Sequence, residues 1–266
     1  MAGSVALLLG KAPRPGTIVA DVLVRLERAG VACQVRLPHD EDVLVGEVSG
    51  ADLVLHRGLS PDASRILPLL DAAGTDLCNP WSGTATLQDR ATLHAALERA
   101  GLPTPRATTV TGWERVRELG AAQEVVVKAV AGAGRGRGVL AGPLPQEPPM
   151  PGPYLVESRV PHDGVDRKFY VTGGHVHGLL KPSTLVHEHT TRGATFDVPD
   201  DLTELALATA RAVGLHLLGV DVVLGPEGPV VVDVNAFPGY RDVPGAADEV
   251  AEHLLGHLHR APTIAG

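Results

Sequence analysis

Two short apolar runs near the C-terminus carry the residues best suited to chemistry. Asp221 lies in the run 218–224, while Asp233 and Asn235 lie in the run 230–235, and the other members of both runs are glycine or aliphatic. An ionised carboxylate that is taken out of water must be paired or must bind a metal. Oxygen donors held on strands suit Mg²⁺, which completes its shell with water and substrate phosphates. The pattern predicts a Mg²⁺ site at these three residues, and the solvated face of an edge hairpin is the alternative.

The connection between the two runs decides whether the carboxylates can share an ion. A two-residue turn at 226–227 would place Asp221 opposite Val232, and the two Asp side chains would then lie on opposite faces of the sheet. An odd number of connecting residues pairs Asp221 with Asp233, and the two-residue period brings Asn235 to the same face. We therefore predict a bulged or five-residue connection, and we expect a tight two-residue hairpin to remove the shared site.

Lysine is scarce, because only four of the 23 Lys and Arg residues are lysines. Lys128 follows three consecutive valines and precedes the glycine-rich stretch 132–138. An ammonium group on a strand, followed by a loop whose backbone N–H groups can approach an anion, is typical of a site for a nucleoside triphosphate. No Gly-Lys-Ser/Thr follows, so the stretch is not a P-loop. A flexible hairpin is the alternative interpretation.

Together these features resemble the ATP-grasp superfamily, in the family's order, over residues 79–247. The resemblance implies an α/β (α+β) fold in which a Rossmann-like N-terminal domain precedes a two-lobed ATP-grasp domain. It implies ATP and Mg²⁺ as cofactors, with Mn²⁺ as a possible substitute, and the metal ligands would be Asp221, Asp233 and Asn235. The implied cofactor-binding residues are Arg90, Lys128, Gly134, Arg135, Gly136, Glu157, Ser158 and Arg159. Within this set Lys128 would grip phosphate, and Glu157 would cap the adenine amine or orient the hinge strand. The family often has Lys at the position of Arg90.

Two branches of the superfamily compete. The stretch 232–240 is similar to the metal strand of the inositol trisphosphate 5/6-kinase branch, and Lys168, Lys181 and Ser183 match that branch's acceptor-binding pattern. Ribosomal-protein glutamate ligases and related carboxylate–amine ligases usually carry Glu at the position of Asp233. They also carry an Arg-x-Asn motif, which is missing around Arg192. Arg192 itself is expected to contact an anionic group of the acceptor. The resemblance therefore favours a kinase for a polyol, sugar or inositol-phosphate-like hydroxyl.

Two other functions stay open at this point. One is an ATP-dependent amino acid or peptide ligase that works through an acyl phosphate, and the other is a catalytically silent nucleotide-binding module. The net charge of −8 argues against nucleic acid as a partner, and no run is long enough to cross a membrane. A small-molecule acceptor is the expected partner, and a homodimer is possible. Cys33 and Cys78 show no metal-ligand spacing, so a reduced cytoplasmic protein is expected. His187 and His189 could share a strand face and bind zinc, but we predict that they contact the acceptor or solvent instead.

Hydrophobic periodicity predicts three pieces, with domain boundaries at 1–85, 86–160 and 161–266. Arg57, at the carboxyl end of a predicted strand in the first piece, is a candidate acceptor contact. The predicted strands of the first piece are 5–9, 33–37 and 51–55, and the predicted helices of the chain are 17–29, 88–100, 112–119, 202–213 and 246–258.

Overall fold

In a computed structural model, the described residues form three β-sheets that are flanked by helices. The structure describes residues 3–40, 42–131, 138–183, 185 and 193–259. The strands are β1 Ser4–Leu9, β2 Ala32–Arg36, β3 Leu53–Arg57, β4 Leu77–Cys78, β5 Ala107–Val110, β6 Val125–Ala129, β7 Val139–Ala141, β8 Tyr154–Ser158, β9 Val165–Thr172, β10 His175–Pro182, β11 Ala194–Phe196, β12 Leu217–Gly225 and β13 Gly228–Ala236. The helices are α1 Ile18–Arg28, α2 Val45–Val48, α3 Ile66–Ala72, α4 Trp81–Gln88, α5 Arg90–Arg99, α6 Trp113–Ala122, α7 Asp200–Val213 and α8 Ala246–Leu258.

The first sheet is parallel and has the strand order β2-β1-β3-β4. Its central strand β1 is apolar at every position from Val5 to Leu9, and these residues are at most 2% exposed. A continuous apolar run of this kind is expected for a parallel strand that is covered on both faces. The mixed α/β architecture predicted from the sequence is confirmed.

The other two sheets are antiparallel. The four-stranded sheet has the order β5-β8-β6-β7, and the five-stranded sheet has the order β11-β10-β9-β12-β13. One face of the five-stranded sheet packs against α5 and α7. The other face contributes Tyr170, Leu179 and Leu217 to a hydrophobic core that also contains residues of β1, α1 and α8. Each sheet lies within one of the three predicted domains. Residues of the first and third predicted domains nevertheless share this hydrophobic core. The division into domains therefore stays a prediction.

The helix predicted over 88–100 is shorter, and a second helix precedes it. Asp89 has an extended backbone between α4 and α5, and its side chain accepts a hydrogen bond of 2.7 Å from the N–H of Thr92. Asp89 is therefore the N-cap of α5, whereas the predicted helix over 88–100 includes it. Helix α4 was missed because its sequence, rich in Ser, Gly and Thr, lacks a clear apolar stripe. Gly83 of α4 is required by close packing, since a Cβ there would lie 2.5 Å from the carbonyl oxygen of Val213.

Asn79 ties the end of the first sheet to the strand that carries Asp221. Its side chain is buried, accepts hydrogen bonds from the N–H groups of His216 (2.9 Å) and Leu217 (2.8 Å), and donates to the carbonyl of Leu217 (2.8 Å).

No helix among the described residues is long and apolar enough to cross a bilayer.

We expect Asn79→Ala to lower the free energy of unfolding by about 3–5 kcal/mol, because it leaves buried backbone groups without partners that cost about 1–3 kcal/mol each. Urea unfolding of both proteins measures the change. Asn235→Ala is the matched control, since the side chain of Asn235 is exposed and its loss should leave the urea midpoint unchanged. A loss below about 1 kcal/mol for Asn79→Ala would show that this contact does not hold the two sheets together.

Candidate active site

The hairpin of β12 and β13 combines a tight turn with a bulge. Its connection is the two-residue turn at 226–227, so the five-residue alternative is wrong. A register shift directly after Asp221 nevertheless pairs Asp221 with Asp233 and leaves Val232 as the extra residue. The expected bulge is therefore confirmed, while the expectation that a tight hairpin removes the shared face is wrong, because the bulge restores it. Asn235 lies two residues beyond Asp233 and so on the same face.

Three neighbouring strands bring a lysine, two carboxylates and an amide onto this face. Lys168 of β9 stands opposite Asp221 in register, and its Nζ lies 2.6 Å from Asp221 Oδ2. Asn235 Nδ2 donates to Asp233 Oδ2 at 3.2 Å. Lys168 thus neutralises a candidate metal ligand in this structure, whereas its sequence pattern predicts a contact with the acceptor. Its role in binding the acceptor stays a prediction.

The charges on this face are incompletely balanced. Burial raises the pKa of Asp221 above the ordinary carboxyl value, and the negative charge of Asp233 raises it further against the opposing effect of Lys168. Burial lowers the pKa of Lys168, but the charge of Asp221 and its hydrogen bond outweigh burial and raise it. A divalent cation between the two carboxylates would stabilise both charged forms. The donor set of two carboxylates and one amide oxygen therefore fits Mg²⁺.

Lys128 is buried at the boundary between two sheets. Its Nζ lies 2.9 Å from Glu157 Oε1 and 2.8 Å from Glu157 Oε2. It also donates a hydrogen bond of 2.7 Å to the carbonyl oxygen of Val232, the bulge residue. The bulge therefore serves two purposes, because it aligns the acidic pair and presents a carbonyl to Lys128. The contribution of Val232 cannot be predicted from the sequence, since a backbone carbonyl leaves no signal in residue types.

Arg90 anchors both ends of the glycine-rich stretch. Its Nη1 donates to the carbonyls of Ala129 at 2.8 Å and Gly138 at 3.3 Å. A planar guanidinium with several donors can hold two carbonyls at once, which suits Arg where the family often has Lys. The predicted phosphate contacts Gly134, Arg135 and Gly136 lie outside the described residues.

A cleft of about 550 Å³ opens between the four-stranded and five-stranded sheets. It gathers most of the residues selected from the sequence, namely Arg90, Lys128, Glu157, Ser158, Arg159, Lys168, Ser183, Asp221, Asp233 and Asn235. The backbone N–H groups of Ser158 and Arg159 already donate to the carbonyls of Arg106 and Glu124. A purine at this strand would therefore use other polar groups of residues 157–160.

A second cavity, of about 390 Å³, shares Lys168, Asp221 and Asn235 with this cleft. Lys181 and Arg57 line it, and Arg57 Nε donates a hydrogen bond of 3.0 Å to the carbonyl of Phe237. The chain thus brings Arg57, a cation of the first sheet, to the edge of the sheet face that carries Asp221, Asp233 and Asn235. This face is called the acidic face below.

The other predicted acceptor contacts are divided between regions. Ser183 is 1% exposed and lines the larger cleft, while Lys181 lines the smaller cavity. Asp166 was missed, although it stands opposite Lys181 in register and lines the cleft; its spacing of two residues from Lys168 could have revealed it. Arg192, together with His187 and His189, lies outside the described residues.

Known proteins resemble this chain along most of its length. The sequence model of the inositol 1,3,4-trisphosphate 5/6-kinase ATP-grasp domain matches residues 187–256. A probable alpha-L-glutamate ligase of Xanthomonas euvesicatoria pv. vesicatoria is 24% identical over 247 residues, which cover 80% of each protein.

Solved structures extend the comparison to the fold. The RimK domain protein ATP-grasp of Sphaerobacter thermophilus superposes with a TM-score of 0.75 at 24% identity, over 95% of this chain and all of the other. The ATP-grasp ligase PsnB, solved with a phosphomimetic variant of its minimal precursor, Mg and ADP, gives a TM-score of 0.71 at 20% identity, over 95% of this chain and 98% of its own. The chain therefore has the ATP-grasp fold, and its similarity to these ligases indicates an enzyme.

Proposed function

We propose that the chain is an ATP-dependent carboxylate–amine ligase that forms an acyl phosphate and releases ADP. The observation that carries the proposal is the position of Asp221 and Asn235, which line both the 550 Å³ cleft and the 390 Å³ cavity. A nucleotide in the cleft and an acceptor in the cavity would meet at these residues. The names of the relatives support a ligase, and the kinase favoured by sequence reasoning is not confirmed.

The larger cleft is proposed to hold ATP. Lys128 would contact the phosphates, and its present bonds to Glu157 and to the carbonyl of Val232 hold Nζ in position for that contact. Arg90 would fix both ends of the glycine-rich stretch over the nucleotide. Glu157 and Ser158 at the end of β8, together with Arg159 directly after it, would border the adenine. A lysine that is already oriented loses less conformational entropy when the nucleotide binds.

Asp221, Asp233 and Asn235 are proposed to hold Mg²⁺, which would neutralise part of the charge of the triphosphate. Mn²⁺ accepts the same oxygen donors and is expected to substitute. Lys168 would offset part of the negative charge of Asp221 and keep that carboxylate ionised. The acidic face therefore combines one fixed cation with an oxygen donor set that suits a hard ion.

The reaction then follows from charge and position. An oxygen of the acceptor carboxylate attacks the γ-phosphorus, the bond to the β–γ bridging oxygen breaks, and ADP leaves. The amine nitrogen next attacks the acyl carbon, inorganic phosphate leaves, and the amine loses a proton. Lys181 and Arg57 are proposed to hold the acceptor carboxylate in the smaller cavity, with Lys168 at the boundary. Catalysis in such transfers rests mainly on alignment and electrostatic stabilisation.

A hydroxylamine trap tests the proposal. The full chain is incubated with MgATP, hydroxylamine and, one at a time, amino acids and short peptides, and both hydroxamate and ADP are measured. A ligase converts the acyl phosphate to a hydroxamate without its natural amine, in an amount equal to the ADP formed. Omission of the carboxylate is the control and should give neither product.

The kinase remains a second candidate because the matched segment of the inositol-phosphate kinase family includes the hairpin with Asp221 and Asp233. A kinase forms a stable phosphomonoester from ATP and a hydroxyl compound alone, which phosphorus NMR detects. A phosphomonoester from a polyol or sugar, with no hydroxamate from any carboxylate in the screen, would replace the ligase by the kinase.

A further inference from the structure

A cysteine and two histidines meet outside the two cavities that Asp221 and Asn235 line. Cys78 ends β4, and His253 and His257 lie one turn apart on α8, so both rings share one helix face. One ligand atom from each residue lies within 4.8 Å of the others. His216, directly before β12, lies beside both rings, with centroid distances of 5.3 Å to His253 and 5.5 Å to His257.

The surroundings of the cluster are those of a metal site. Cys78 is fully buried. The Nε2 atom of His257 is buried and has no hydrogen-bond partner among the described residues, whereas its Nδ1 lies 3.3 Å from Asp76 Oδ2. A carboxylate on one ring nitrogen orients the imidazole and leaves the other nitrogen as a metal ligand. A buried nitrogen without a partner is costly unless something binds it.

We propose that Cys78, His253 and His257 bind one Zn²⁺ ion, with His216 or water as the fourth ligand. A thiolate and imidazoles form the donor set that suits zinc, and they differ from the oxygen donors expected for Mg²⁺. Bond lengths of about 2.0–2.3 Å place ligands of a tetrahedral zinc about 3.3–3.8 Å apart. The three atoms therefore have to close by at most about 1–1.5 Å, which side-chain rotations can provide.

Such an ion would join segments that are far apart in the sequence. Cys78 belongs to the first sheet, His253 and His257 to the last helix, and His216 to the start of the strand that carries Asp221. Cys78 directly precedes Asn79, whose side chain already bonds to His216 and Leu217. The zinc would stabilise the junction that positions β12, at a distance from the chemistry itself.

Metal binding by the full chain tests the proposal. The protein is freed of metal with EDTA and titrated with Zn²⁺ in competition with a chromophoric chelator. We expect one Zn²⁺ per chain, with affinity lowered more than about 100-fold in Cys78→Ser and His257→Ala and about 10- to 100-fold in Asp76→Asn. Cys33→Ser is the matched control, because this half-buried cysteine lies on β2 outside the cluster and should keep the wild-type affinity.

Cobalt gives a second readout that needs no variant to fold. Co²⁺ added to the metal-free wild-type protein should produce thiolate-to-metal charge-transfer absorption, and Zn²⁺ should displace it. Asp233→Asn should keep this signal, since the acidic face is a separate site. Absence of the thiolate band in the wild-type protein, or equal zinc affinity in Cys78→Ser and Cys33→Ser, would overturn the proposal.

Discussion

Asp233→Asn is expected to lower kcat for ATP-dependent turnover by about 10²–10³-fold, because it removes one of the two carboxylates that face the proposed Mg²⁺. The substitution keeps the size of the side chain and retains an oxygen that can accept the bond from Asn235 Nδ2. The fold should therefore survive. Steady-state ADP release with the carboxylate found in the hydroxylamine screen measures the effect, and circular dichroism verifies the fold.

Glu227→Gln is the matched control for this substitution. It makes the same chemical change on the same hairpin, but Glu227 lies in the exposed turn between β12 and β13. Its kcat should equal that of the wild-type protein. If Asp233→Asn and Glu227→Gln retained equal Mg²⁺-dependent turnover, the assignment of the metal to this face would be refuted.

Lys128→Met is expected to weaken ATP binding about 10- to 150-fold, which corresponds to the 1.5–3 kcal/mol of a hydrogen bond to a charged group. The variant also leaves Glu157 buried without its cation, and breaking a buried pair costs about 3–5 kcal/mol of stability. Loss of binding and loss of stability must therefore be separated. Calorimetric titration with MgATP measures the first, and urea unfolding measures the second.

The double variant Lys128→Met with Glu157→Gln separates the two effects. It removes both charges of the buried pair, so stability should return toward the wild-type value while ATP binding stays weak. Lys11→Met is the control on an exposed lysine and should bind ATP normally. Normal ATP affinity in the double variant would show that Lys128 serves the fold and does not contact the nucleotide.

Local chemical patterns account for the parts of the molecule that could be predicted. Helix α8 has the predicted bounds of 246–258, because its apolar stripe is regular, and Lys128 lies near the end of the buried strand β6, as the three valines before it indicate. The pairing of Asp221 with Asp233 follows from the demand that buried carboxylates share a partner. A period of 3.6 residues indicates the helix and a period of 2 indicates the hairpin face, whereas a continuous apolar run indicates the strand that holds Lys128.

Contacts between distant segments account for the parts that could not be predicted. Nothing in the sequence indicates that Glu157 and the carbonyl of Val232 meet at Lys128, since three strands from two sheets form that contact. In the cluster of Cys78 with His253 and His257, only the four-residue spacing of the two histidines is visible in the sequence, because Cys78 lies far from them along the chain. Two related reactions also share one nucleotide site, so the metal strand alone could not separate ligase from kinase.

Transfer of oxygen-18 from the acceptor to phosphate is the direct test for an acyl phosphate intermediate. The carboxylate that yields a hydroxamate is labelled with oxygen-18 in its carboxyl group and incubated with the full chain, MgATP and the amine. An acyl phosphate keeps a carboxyl oxygen on the phosphorus when the amine displaces phosphate. We therefore expect inorganic phosphate that carries one labelled oxygen, which mass spectrometry detects. Amide product accompanied by unlabelled phosphate would contradict it.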